Sequence, residues 1–203
     1  MESVNYRISQ NSGIMRLLIG AYTIVLFFIF IMTSCMNESK EQNNSGDKKA
    51  AKPEFIQKTI QAELTGTYLY AGPDTLPDKK CTDTLSDWRA IVEGTGTSNV
   101  MGEVRAHFDF CGNRNGYYGN AIAYLVDQDS DTLFIDCRGR VIQGKTDEHP
   151  DFVISYWKDD IGISGGTGKY TAATGTMKTD DYNSSEDPNS HHRWKGTLKL
   201  PVR

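Results

Sequence analysis

Three absences bound this chain of 203 residues. Lysine and arginine are not in excess: 22 of them stand against 26 aspartates and glutamates, for a net charge of −4, and the two signs are interspersed. Displacing counterions from nucleic acid needs clustered basic side chains, so no nucleic acid partner is expected. Long helical periodicity is missing, which leaves strands as the regular structure. Cysteine is scarce, with four in all, and no serine, cysteine or histidine lies in a recognisable nucleophile motif. The residues therefore point to no catalytic group, no metal and no cofactor.

What is present begins with Leu17 to Met32, a nearly uninterrupted apolar run led by Arg16 and followed by Thr33, Ser34 and Cys35. A membrane span needs about 20 apolar residues, whereas the core of a secretory signal is shorter and closes on small residues. Ile31, Met32, Thr33, Ser34 and Cys35 resemble the lipobox of bacterial lipoproteins. The resemblance implies that residues 1–34 are a signal peptide and that Cys35 is acylated and becomes the mature N-terminus. A start at Met15 would make the leader compact, a start at Met1 would give it a long polar beginning, and an uncleaved run would act as a membrane anchor. Loss of residues 1–34 removes Glu2, Arg7 and Arg16, which moves the net charge from −4 to −5. Met36 is not the aspartate that retains some lipoproteins in the inner membrane. The expected location is thus the bacterial cell envelope, lipid-anchored at the outer membrane in preference to the inner one. Residues 35–52 are the lipidated cysteine and a polar stretch (MNESKEQNNSGDKKAAK) expected to be a disordered tether.

Residues 53–203 suffice for one domain. Short runs rich in β-branched and aromatic residues recur there between Gly, Asn, Asp and Pro. In Glu103 to Phe110, the side chains Val104, Ala106, Phe108 and Phe110 fall on one face, with Glu103, Arg105, His107 and Asp109 on the other. Further strands are expected at Glu63 to Tyr70, Trp88 to Thr97, Tyr117 to Val126, Thr132 to Ile142, Phe152 to Trp157, Gly175 to Thr179 and Trp194 to Leu200. Turns are expected at Cys111 to Gly116, Asp127 to Asp131 and Asp180 to Ser190, and a helical turn or two at Glu54 to Glu63. About eight such strands hide their edges most completely by closing. The pattern predicts an all-β domain, a single antiparallel β-barrel, with a two-sheet sandwich as the competitor.

Two segments carry a resemblance. Gly94 to Gly96 (GTG), leading into the strand at Glu103, and Ile163 to Thr176 (ISGGTGKYTAATGT) resemble stretches of bacterial β-barrel proteins related to the allene oxide cyclase barrel. That calycin-like fold also resembles plant dirigent proteins, and the likeness covers roughly Ile91 to Leu200. It implies a calycin-like barrel and, as one functional alternative, an isomerase or cyclase acting on a small hydrophobic substrate in an apolar cavity. Taken without the family, Gly165, Gly166 and Gly168 supply positive φ or close backbone approach at a corner. Tyr170 can plug a barrel end, and Ala172, Ala173 and Gly175 admit tight packing. A phosphate loop is excluded, because position 163 is Ile and Lys169 is followed by Tyr170 in place of Ser or Thr.

Asp127, Asp129 and Asp131 alternate like a calcium loop, but Thr132 and Arg138 stand where such a loop needs glycine and a final acid, so a solvated turn is expected. His191 and His192, adjacent in a strand, point to opposite faces and cannot share a metal. His107 is expected on the wet face. Tyr118, Ile122, Tyr124 and Val126 share one face of their strand, while Tyr117, Ala121, Ala123 and Leu125 share the other, and the sequence leaves open which points inward. A barrel of eight strands is either filled by side chains or holds one small ligand, and the filled interior is the expectation.

Cys81 precedes the strand at Trp88 and Cys111 closes the strand at Glu103. If these strands are antiparallel neighbours, both cysteines lie at one end of the sheet, close enough for a disulfide. Cys137 then sits two strands from Cys111, about 10 Å away, and stays free. The expected function is non-enzymatic: binding or structural, with any ligand small and apolar, the membrane engaged through the lipid anchor and the oligomeric state left open.

Overall fold

The computed structural model describes residues 53–83 and 86–202, all within one compact unit, Ala51–Arg203. Cys35, the leader and the tether lie outside the described residues. The described residues form twelve strands: β1 (Phe55–Pro73), β2 (Trp88–Ser98), β3 (Gly102–Gly112), β4 (Tyr117–Asp127), β5 (Thr132–Asp136), β6 (Gly139–Arg140), β7 (Ile142–Gln143), β8 (Val153–Trp157), β9 (Asp160–Gly166), β10 (Thr174–Thr179), β11 (Asp181–Ser184) and β12 (Ser190–Pro201). Eight of them, in the order β1-β2-β3-β4-β5-β9-β10-β12, close into an antiparallel barrel through the pairing of β12 with β1. The length of β1 makes the seam: it pairs with β12 from Phe55 to Gly66 and with β2 from Ala62 to Pro73. Closure leaves no edge along the barrel wall.

Period-two alternation fills the interior. Ile60, Ala62 and Leu64 of β1, Val92 of β2, Val104, Ala106 and Phe108 of β3, and Trp194 and Leu198 of β12 belong to one buried cluster. Three of the eight staves are interrupted. The chain of β5 resumes as β6 after Cys137 and Arg138, β8 leads into β9 across Lys158 and Asp159, and β10 leads into β11 across Asp180. The second segments carry the wall onward: β11 pairs with β12 and β8, β8 with β7, and β6 with β4.

Several expectations are corrected. The expected helical turn at Glu54 to Glu63 is strand from Phe55 on, because the alternation of Ile60, Ala62 and Leu64 toward the core outweighs the helix-favouring Gln, Lys, Ala and Glu around them. Asp181–Ser184 is a strand within the expected Asp180 to Ser190 turn, paired on both sides. Asp160–Gly166 is a strand that takes up the first half of the glycine motif. Thr132 to Ile142 is three short strands instead of one. In β4 one extra residue stands opposite β3 between Ile122 and Gly119, with Asn120 at φ 46°, so a β-bulge swaps the faces. Tyr118 therefore faces the interior, whereas Ile122, expected beside it, is 54% exposed.

The glycine motif forms a corner at the end of the barrel where β2 turns into β3. Gly165 and Gly168 have positive φ, 128° and 48°. A Cβ on Gly168 would lie 1.5 Å from Asp131 Oδ1, so both conformation and space demand glycine. The Asp127–Asp131 turn is held from this corner: Lys169 Nζ reaches Asp127 Oδ2 (2.7 Å) and Asp129 Oδ2 (2.8 Å), and the buried Tyr170 hydroxyl donates to Asp127 Oδ2 (2.9 Å). An ammonium thus occupies the place a calcium ion would need. Gly168→Val is expected to destabilise the domain by roughly 1–3 kcal/mol, read as a lower urea midpoint; an unchanged midpoint would show that the corner tolerates a side chain.

Candidate functional site

The barrel is not completely filled. At the level of the broken staves, a recess of about 60 Å³ remains among Tyr68, Val92, Phe108, Phe110, Trp157 and Trp194. Its rim is half-buried at Phe110, Tyr118, Cys137 and Val141. Most of the lining is aromatic or aliphatic, and the polar side chains gather on the β11–β12 side.

Alternation along β12 puts Ser190, His192 and Trp194 on its inner face and turns His191 outward, where it meets Asp187 at 2.9 Å. The β11–β12 pairing sets Tyr182 opposite His191 and brings Asp181 beside His192. His192 Nε2 lies 2.9 Å from Ser190 Oγ, and His192 Nδ1 lies 3.0 Å from Asp181 Oδ2. A carboxylate only accepts, so Nδ1 carries the ring proton and Nε2 is left to accept from the serine hydroxyl. The other acceptor within reach of that hydroxyl is the Gly66 carbonyl, at 3.2 Å.

The orientation is enforced from all sides. Asp181 Oδ1 accepts from the Arg193 backbone N–H (3.0 Å), and the Trp194 indole N–H is shared between the two carboxylate oxygens at 3.1 Å each. Phe108, Trp157 and Trp194 surround the imidazole at ring-centroid distances of 5.3, 5.7 and 6.0 Å. Gly66 makes the room, since a Cβ there would lie 2.7 Å from Ser190 Oγ. Ser190 is 1% exposed. Such a buried, fully paired network holds one geometry.

Two further polar groups belong to the recess. Tyr68 donates to Asn183 Oδ1 (3.1 Å), and burial pushes its hydroxyl up. Burial also pushes the Cys137 thiol up to about 12, so Cys137 is a thiol at neutral pH and a poor nucleophile. On the rim, Tyr118 donates to Asp159 Oδ2 (2.8 Å), and burial raises the Asp159 carboxyl above its ordinary range.

Of the residues singled out in the sequence, His192, Tyr118 and Cys137 line the recess and the others lie elsewhere. Cys81 and Cys111 form a disulfide with Cα atoms 5.5 Å apart, on the outer face of β3, and Cys137 is free. Gly165, Gly166 and Gly168 are at the opposite end of the barrel from the recess. His107 is on the outer face, 2.6 Å from Glu93 Oε1 and stacked on Tyr124. Among the described residues, no group of three His, Cys, Asp or Glu side chains is placed to hold a metal. Motif reasoning weighed His192 only as a metal ligand and passed over Ser190 and Asp181 as site residues. The available signal was the spacing Ser190-x-His192-x-Trp194, which puts a hydroxyl and an imidazole on one face of a strand.

No family model, no curated protein and no solved structure matches this chain.

Proposed function

We propose that this protein is a lipid-anchored bacterial envelope protein whose barrel, of the allene-oxide-cyclase-like, calycin-like kind, binds one small and mostly apolar molecule. The observation that carries the reading is the recess: apolar walls with a single polar corner at Ser190 and His192. Its 60 Å³ exceeds the roughly 10–15 Å³ that one water needs and falls far below the ~300–1,000 Å³ of drug-sized sites, so the fit is to a molecule of a few heavy atoms with one hydrogen-bonding group. The family assignment is supported by ISGGTGKYTAATGT and the barrel around it, and the anchor by Leu17 to Cys35.

Full-length protein purified from its own envelope is expected to retain a small molecule in native mass spectrometry, and Val141→Trp, which fills the rim, is expected to lose it. Bare wild-type protein that also fails to bind added N-methylacetamide would remove the ligand-binding reading. For the anchor, Cys35→Ala should abolish incorporation of an alkyne-tagged fatty acid; a mutant that is still labelled rules out acylation at Cys35.

A further inference from the structure

We propose that Ser190 is a nucleophile toward esters of short carboxylic acids, with His192 as its general base and Asp181 as the positioning residue. This rests on the recess being a ligand site and adds covalent chemistry to it. Activating a serine takes a base within hydrogen-bond reach of Oγ and a third group that orients the base. Both contacts are present, at 2.9 and 3.0 Å, in a row that points from a buried carboxylate through the imidazole to the serine at the recess wall. A serine needed only for packing would be satisfied by the Gly66 carbonyl alone, at 3.2 Å, and would not require a caged imidazole aimed at it. Asp181 itself is held by the Arg193 and Trp194 N–H groups, which leaves it one task toward His192: fixing the ring and its tautomer.

The chemistry balances without a cofactor. Ser190 Oγ bonds to the ester carbonyl carbon while its proton passes to His192 Nε2. The Tyr68 hydroxyl, which lines the same recess as Ser190, turns from Asn183 to donate to the oxygen that takes the negative charge. Collapse of the tetrahedral adduct breaks the ester C–O bond, and His192 delivers its proton to the departing oxygen as alcohol. Water then attacks the acyl-serine, giving its proton to His192, which returns it to Ser190 Oγ as the carboxylic acid leaves. Ester and water become alcohol and acid. The recess volume restricts the acyl group to roughly two to four carbons.

The test uses full-length protein in detergent with p-nitrophenyl acetate and p-nitrophenyl octanoate. The expected result is a burst of nitrophenolate from the acetate, about one per protein molecule, a much slower reaction with the octanoate, and an acetyl group on the peptide containing Ser190. Ser190→Ala, with an unchanged melting temperature, should fall to the protein-free rate. Asp181→Asn should lower acylation by about 10³-fold or more with KM little changed. Acetyl mapped to lysines, or a Ser190→Ala variant as fast as wild type, overturns the inference, and peptide mapping of wild type decides it even if a variant misfolds. Binding of unreactive N-methylacetamide, read from Trp157 and Trp194 fluorescence, separates the two readings: binding without acylation leaves the ligand site and removes the nucleophile, while neither removes both.

Discussion

Arg89→Ala is expected to lower the stability of the domain by about 3–5 kcal/mol, the largest loss foreseen for a single substitution. Arg89 and Asp109 lie on the outer faces of β2 and β3, where charged side chains normally meet water, yet Arg89 is only 4% exposed, and Asp74, Asp78 and Lys80 of the segment that follows β1 contact the pair. Its Nε and Nη2 each donate to Asp109 at 2.8 Å, and Nη1 and Nη2 donate to Asp78 at 3.0 Å. Lys80 donates to the Asp109 carbonyl oxygen. Burial pushes the Asp109 carboxyl up, and the Arg89 bonds with the nearby Lys80 charge override it, so the group ends below its ordinary value of 3.8. Removing Arg89 leaves the buried Asp109 carboxylate with only Lys80, 3.5 Å away, in place of two short guanidinium bonds.

The sign with pH follows. In the wild type, the Asp109 contribution is complete above its unfolded value and fades as pH falls through the lower folded value. In Arg89→Ala burial dominates, so the variant loses stability as pH rises through that range. The gap between the two proteins in urea unfolding should therefore widen between roughly pH 3 and pH 6. A gap that stays constant would mean that Asp109 is paired well enough without Arg89. Replacing both partners with apolar residues, Arg89→Met with Asp109→Leu, is expected to cost less than the single change, because the buried Asp109 carboxylate goes with its guanidinium and only the longer contacts of Lys80 to Asp109 (3.5 Å) and of Arg89 to Asp74 (3.8 Å), with the exposed Asp78 pair, are lost besides.

The double substitution Cys81→Ser, Cys111→Ser is expected to cost roughly 3–4 kcal/mol. The bridge closes 30 residues of sequence, and most of its effect is to shrink the unfolded ensemble. At roughly 2–4 °C per kcal/mol for a domain of this size, the melting temperature should fall by on the order of 10 °C. Because the bridge at Cys81 pins the same segment whose Asp78 pairs with Arg89, the loss should exceed the sum of independent parts when it is combined with Arg89→Ala. Non-reducing peptide mapping that placed Cys137 in a bridge would contradict the strand order, since Cys111 and the free Cys137 lie on staves separated by β4.

The all-β class, the β2–β3–β4 meander and the disulfide were legible in the sequence, and for one reason. Each depends on alternation within a strand or on short connections between successive strands, which are local properties. Val104, Ala106 and Phe108 announced an inner face, and antiparallel succession then put Cys81 and Cys111 at one end. Ser190 read as the end of a turn and His192 lay ahead of the strand expected at Trp194, so their shared face appeared only once β12 was seen to begin at Ser190. What they do there was not legible. Asp181 reaches His192 only through the register of the β11–β12 hairpin, and β11 read as turn because Asp, Asn and Ser favour turns unless neighbours on both sides claim their backbone. Tyr118 faces the recess only because the bulge at Asn120 reverses a face that plain alternation assigns with Ile122. Alternation is written residue by residue, so the sequence by itself determined the all-β class and which side chains share a face wherever a strand runs without a bulge. Register, bulge and closure are settled by the whole wall fitting together, and only the tertiary structure decided which face lines the interior, that a recess remains, and that a serine, a histidine and an aspartate meet at its wall.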